Sequence, residues 1–207
     1  MTPYSVHQDS VFLNIPYDEA FERLYLAYIV GTTAFRLIPH TTLEIPDTTR
    51  RLDRIQTLLH RCRYSIHDLS RVQVSRTAPR IPRFNMPFEL GLAVSWSNIN
   101  PGRHSWFVCD SERHRVLKSI SDLAGTDINI HDGRIQGVMR ELCNMFVRRS
   151  VRPDVTDLMK RYRKLRSVLP QIQRQPGSHT LYEPRVFADI CYAAVGLRDG
   201  TELQAGR

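Results

Sequence analysis

Lysine is nearly missing from this 207-residue chain: only Lys118, Lys160 and Lys164 occur, so the formal charge of +8 is carried almost wholly by arginine. Arginine offers a planar fork that meets carboxylate or phosphate with two parallel hydrogen bonds. The basic residues are spread over several predicted helices and mixed with acids, which argues for solvated helix faces ahead of a nucleic-acid footprint. Cysteine is equally sparse. Cys62, Cys109, Cys143 and Cys191 stand far apart with no Cys-x-x-Cys spacing, which speaks against a zinc site or a secreted disulfide framework and fits reduced thiols in a cytoplasm. Met1 to Ser10 lacks the basic-then-apolar layout of a signal segment, and no apolar run approaches the ~20 residues of a membrane span. The expectation is a cytoplasmic protein with no membrane partner. A glycine-rich phosphate loop, a His-Glu-x-x-His helix and a Gly-x-Ser-x-Gly elbow are all missing, as are repeats and low-complexity tracts. No metal and no resident cofactor are expected.

What is present is ordinary globular material. Apolar residues make up 42% and charged residues 24%, enough for one real core in one domain of this length. Val11 to Ile15 is a short β-rich run closed by Pro16, and Tyr17 to Ala34 follows with Phe21, Leu24, Tyr25, Tyr28 and Ile29 at helical spacing. Phe35 to Ile38 reads as a second strand, and Thr48 to Cys62 as a helix with Leu52, Ile55, Leu58 and Leu59 on one face. Tyr64 to Leu69 is the third strand. After it, Arg71 to Arg83 is a polar, proline-bearing loop, long for an α/β connection. Met86 to Trp96 resumes a helix, Ser105 to Cys109 is a strand, and Arg113 to Leu123 is a helix stopping at Gly125. Asp127 to Ile130 makes a fifth strand and Ile135 to Arg149 a fifth helix. Such alternation implies a doubly wound, flavodoxin-like five-stranded parallel sheet over residues 11–150. Residues 151–207 form a C-terminal helical extension, with helices at Thr156 to Leu169 and Pro184 to Leu197 and a linker from Pro170 to Ser178. It packs on the domain or on a second copy, so homo-oligomerisation through these helices is an expected partner relation.

Ligands of open parallel sheets bind beyond the carboxyl ends of the strands where strand order reverses. That places attention on Asn14, Pro16, Tyr17 and Asp18 after strand one, and on His67, Asp68, Ser70 and Arg71 at the end of strand three. The next helix opens Phe84-Asn85-Met86-Pro87-Phe88-Glu89. On the residues alone Glu89 reads either as a helix-start carboxylate or as a reactive one, and Asp68 either as a loop stabiliser or as a site residue. His67 beside Asp68 reads either as a general base or, because neighbours on a strand point to opposite faces, as a buried or surface histidine. Gly91 fits close helix-to-sheet packing, and Phe84, Phe88, Trp96 and Trp106 fit the core, with Phe84 or Phe88 also able to stack on a base.

The run Ser65-Ile66-His67-Asp68-Leu69-Ser70-Arg71, followed by Arg83-Phe84-Asn85-Met86-Pro87-Phe88-Glu89-Leu90-Gly91-Leu92-Ala93, resembles the nucleoside 2-deoxyribosyltransferase-like proteins and the related TIR-like NAD-cleaving domains. The resemblance covers Val11 to Ala93 and beyond that only the strand-helix order. It implies cleavage or transfer at an N-glycosidic bond of a nucleoside, nucleotide or NAD. It further implies Glu89 as the catalytic carboxylate, Asp68 as the group that handles the base, and Tyr17 as an aromatic near the nucleophile. Where the deoxyribosyltransferases carry an Asp-x-Gly-Thr run, this chain has Arg83-Phe84-Asn85-Met86. An arginine there favours a phosphate-bearing substrate, so hydrolysis of NAD or a nucleotide is expected, with Arg71 and Arg83 near phosphate. Such domains often serve bacterial defence against phage, and that context comes with the resemblance alone. The rival expectations are a non-catalytic nucleotide-sensing or scaffolding module of the same fold and, last, a nucleic-acid partner of the basic segment from Arg148 to Arg174.

Overall fold

The computed structural model describes residues 6–45, 50–72, 84–174 and 180–199. Short β-branched and aromatic runs form five strands, β1 (His7–Asn14), β2 (Ile38–His40), β3 (Cys62–Asp68), β4 (Ser105–Asp110) and β5 (Ile128–Ile130). They pair all parallel in the order β2-β1-β3-β4-β5. The helices are α1 (Glu22–Ala34), α2 (Arg51–Arg61), α3 (Asn85–Ile99), α4 (Arg115–Ser119), α5 (Ile135–Met145), α6 (Val155–Gln173) and α7 (Pro184–Asp199). This is the expected doubly wound α/β sheet with helices C-terminal to it.

Alternation along each strand divides the side chains between two helical layers. Val11 and Leu13 enter the core built by α1, α5, α6 and α7, whereas Phe12 packs with Ile55, Leu58 and Leu59 of α2. Helix α1 is apolar almost all round because it is covered on every side: each residue from Leu24 to Ala34 is buried, between the sheet and the α5–α7 layer. A Cβ at Gly31 would overlap Leu142 Cδ1 of α5, so glycine sets the closeness of α1 to α5. Leu158, Tyr162 and Leu165 of α6 and Phe187 and Ile190 of α7 belong to that same core. The two C-terminal helices are therefore built into the domain's hydrophobic interior.

Several boundaries differ from the expected ones for identifiable reasons. The segment Phe35 to Leu37 ends α1 instead of opening β2: Arg36 takes a left-handed φ of 59°, and the Leu37 N–H bonds back to the Thr32 carbonyl, a helix stop of the Schellman kind. Pro170 does not start a linker but lies inside α6. Leu165 and Leu169 hold that stretch against the core while Pro170 is exposed, and packing outweighs the lost N–H bond. Of the expected linker, residues 175–179 lie outside the described residues. The helix expected over Arg113 to Leu123 shortens to α4 and a separate 3₁₀ turn at Ser121–Leu123. Leu52 is 41% exposed, since α2 begins only at Arg51. No helix among the described residues is long and apolar enough to cross a membrane.

Candidate active site

The strand order reverses between β1 and β3, and Asn14, the last residue of β1, lies in register with His67 of β3. Both face the α2 and α3 side. Glu89, in the second turn of α3, faces the same place and is only 2% exposed. Arg51, the first residue of α2, reaches its Oε1 with Nη2 at 3.2 Å and Nε at 3.4 Å. Glu89 Oε2 is buried and has no partner in good hydrogen-bond geometry among the described residues. Burial pushes the Glu89 carboxyl above the usual range, against the charge and hydrogen bonds of Arg51 and the nearby amides of Asn14 and Asn85.

Tyr17 closes one side. Burial pushes its phenol up to about 12, opposed by the nearby Thr42 and Thr41 and by the Arg51 charge, and reinforced by Glu89. Its ring lies edge-on to Tyr25 at 6.2 Å and tilted against Tyr182 at 5.6 Å. Pro16 is buried. Asp18 accepts from Arg71 Nε at 3.2 Å through Oδ2, and its carbonyl accepts from the Tyr182 hydroxyl at 2.6 Å. Tyr182, two residues before α7, thus touches the rim. Asn85 is exposed at the start of α3, and Met86 is buried with Leu69, Leu90 and Val108, anchoring that helix. Phe84 and Phe88 were expected in the core, but they are 67% and 58% exposed, because α3 turns Met86, Leu90 and Ala93 toward the sheet instead. Trp96 and Trp106 are only partly buried, packed at the edge of the smaller clusters. Gly91 faces open space, where a Cβ would meet nothing within 4 Å, so it makes no close helix-to-sheet approach. Arg83 lies outside the described residues.

Asp68 has a different setting. It is fully buried on the α1 side, where Oδ2 accepts from the Tyr28 hydroxyl at 2.8 Å and lies 3.1 Å from His131 Nε2, while Oδ1 accepts from the Ser70 N–H at 2.9 Å. Burial raises its pKa, but His131 and Ser70 outweigh that and hold it below the usual carboxylate range. Strand alternation sends Asp68 to the opposite face from His67 and Glu89, and the two carboxylates share no hydrogen-bond partner among the described residues. Asp68 fixes the end of β3 and hence Ser70 and Arg71. Sequence reasoning missed Arg51, Thr41, Thr42, Tyr28 and His131. A signal for Arg51 existed: a cation in the first turn of a helix opposes the macrodipole, so it needs a carboxylate elsewhere.

Of the cavities among the described residues, one of about 400 Å³ is lined by His7, Ser10 and His40 and another of about 510 Å³ by His114, Asp127 and Arg140, and neither is lined by Glu89. Among the described residues no cluster of three or more His, Cys, Asp or Glu could hold a metal ion. Compared with protein-family models, with curated proteins and with solved structures, the chain matches none of them, and its site is read from its own geometry.

Proposed function

We propose that the protein is an N-glycoside hydrolase that releases the base from NAD or a nucleotide, with Glu89 as the carboxylate facing the anomeric carbon. The observation that carries this reading is the buried Oε2 of Glu89 at the switch point of the sheet, which no described residue meets in good hydrogen-bond geometry. A carboxylate oxygen without a close hydrogen bond, in a poorly solvated place, attracts the positive charge that develops at an anomeric carbon as the glycosidic bond stretches. It can also bond to that carbon as a nucleophile. Arg51 on Oε1 holds the group in one orientation. In the reaction the carbon-nitrogen bond breaks, its electron pair leaves with the base, and water adds its oxygen to the carbon and gives up a proton. Nicotinamide leaves NAD as a neutral ring and needs no acid, whereas a purine or pyrimidine takes a proton as it departs.

The surroundings suit such a substrate. Phe84 and Phe88 offer exposed ring faces for a base, and the half-exposed guanidinium groups of Arg51 and Arg71 supply positive charge for phosphate beyond their bonds to Glu89 and Asp18. Asp68, with both oxygens occupied, is assigned a supporting role. A nucleotide-sensing module is the second reading, favoured by the Tyr182 hydroxyl on Asp18, which joins the crevice to the C-terminal helical layer. Incubation of the protein with NAD, ATP and nucleoside monophosphates, followed by chromatography for free base, tests the hydrolase. Release from at least one is expected. Tight binding without any release would overturn catalysis in favour of the sensing module.

A further inference from the structure

We propose that a buried hydrogen-bond chain running from the Cys62 carbonyl to Asn14 fixes the orientation of the Asn14 amide beside Glu89, which makes His67 a positioning residue of the crevice. The links are His104 Nδ1 to the Cys62 carbonyl at 2.8 Å, Ser65 Oγ to His104 Nε2 at 2.8 Å, His67 Nε2 to Ser65 Oγ at 2.9 Å, and Asn14 Nδ2 to His67 Nδ1 at 3.0 Å. All four side-chain residues are buried, Ser65 and His67 completely. They line up because Ser65 and His67 share one face of β3 and the parallel register sets Asn14 opposite His67.

One end of the chain fixes every hydrogen in it. A carbonyl only accepts, so His104 Nδ1 carries a hydrogen. Burial holds both imidazoles below the ordinary histidine range, His67 down to about 3, so each ring has a single N–H. His104 Nε2 is then bare and accepts from the Ser65 hydroxyl. With that hydrogen used, the Ser65 oxygen accepts from His67 Nε2–H. His67 Nδ1 is left bare, and only the NH₂ side of Asn14 can face it, because a flipped amide would oppose two lone pairs. Asn14 keeps a second amide hydrogen, and Glu89 is close enough for Asn14 to lower its pKa. Four buried polar groups satisfied end to end specify one arrangement. The Phe12 ring, edge-on to His67 at 6.3 Å, shields it from water. The other groups facing these residues are Arg63 and His60 around His104, and Arg51 and Asn85 around Glu89.

The catalytic consequence of this lock rests on Glu89 being the reactive carboxylate, but the lock itself is testable without a substrate. In the full chain labelled with ¹⁵N-histidine at pH 7, the imidazole nitrogens of His67 should show the Nε2–H form and those of His104 the Nδ1–H form. His104 in the Nε2–H form, or both rings averaging between forms, would overturn the proposal, and this reading needs no variant to fold. A second measurement follows the Glu89 carboxyl by ¹³C-detected titration. His67→Leu should shift its midpoint upward, because the freed Asn14 amide no longer donates in one direction, and His67→Asn, which keeps an acceptor where Nδ1 stood, should restore it. An unchanged midpoint in a folded His67→Leu protein would contradict the positioning role. If base release is never seen, these results still decide whether the lock exists.

Discussion

His67 and Asp68 are chain neighbours with opposite fates. His67 is buried and neutral on the α2/α3 side of the sheet, held down to about 3, while Asp68 is buried and ionised on the α1 side, held below the usual carboxylate range. Both shifts act on stability in the same direction. An unfolded histidine takes up a proton near pH 6.5, which folded His67 refuses until about pH 3. Folding therefore weakens as pH falls between those values, by on the order of 4 kcal/mol from His67 alone near pH 3, and His104 adds to the loss. Asp68 adds its own loss below the ordinary carboxylate range, whereas Glu89, raised by burial, acts in the opposite sense near its own titration. Urea unfolding between pH 7 and pH 4 should show the midpoint dropping steadily, and a flat profile down to pH 5 would contradict a neutral buried His67. Alternation on the strand already separated His67 from Asp68 in the sequence. The partners of Asp68 were not legible, because Tyr28 and His131 lie 40 and 63 positions away and reach it only through the order of the strands.

At the level of elements, long periodic stretches were readable and their ends were not. The apolar spacing in Tyr17 to Ala34 marks α1, but its termination needs the left-handed Arg36, which no side-chain pattern announces. Pro170 shows the reverse: a strong local stop signal is overridden by Leu165 and Leu169 anchored in the core. Two glycines test how tightly the elements are joined. A Cβ at Gly137, at the start of α5, would overlap the His131 backbone, whereas one at Gly31 would overlap the end of the Leu142 side chain and touch Met139 Sδ. Backbone cannot yield as a leucine methyl can. Gly137→Ala is expected to cost about 3 kcal/mol or more and Gly31→Ala about 1–2 kcal/mol, measured by equilibrium unfolding. The opposite ranking would mean that the β5-to-α5 turn is looser than this packing.

Across the whole molecule, the strand-helix alternation made the parallel sheet and its switch point legible, and with them the general place of Asn14, Tyr17, Ser70 and Glu89. Of the two places expected for the C-terminal helices, on the domain or on a second copy, the structure has them on the domain: Leu158, Leu165, Phe187 and Ile190 share one core with α1 and α5, and Tyr182 touches the crevice rim. A chain ending at Ser150 would leave the outer face of α1 bare and is expected to aggregate or lose cooperative unfolding. A soluble, cooperatively folding fragment would show that the two layers are separable. On the other face of the sheet two smaller clusters seat Glu89: Met86 and Leu90 anchor α3, Ile55, Leu58 and Leu59 anchor α2, which supplies Arg51, and β1 supplies Asn14. The most direct test of its role compares free-base release by wild-type protein and Glu89→Gln, with nucleotide binding checked by calorimetry. Loss of at least about 100-fold in rate with binding kept is the expected result, and release by Glu89→Gln at the wild-type rate would contradict it.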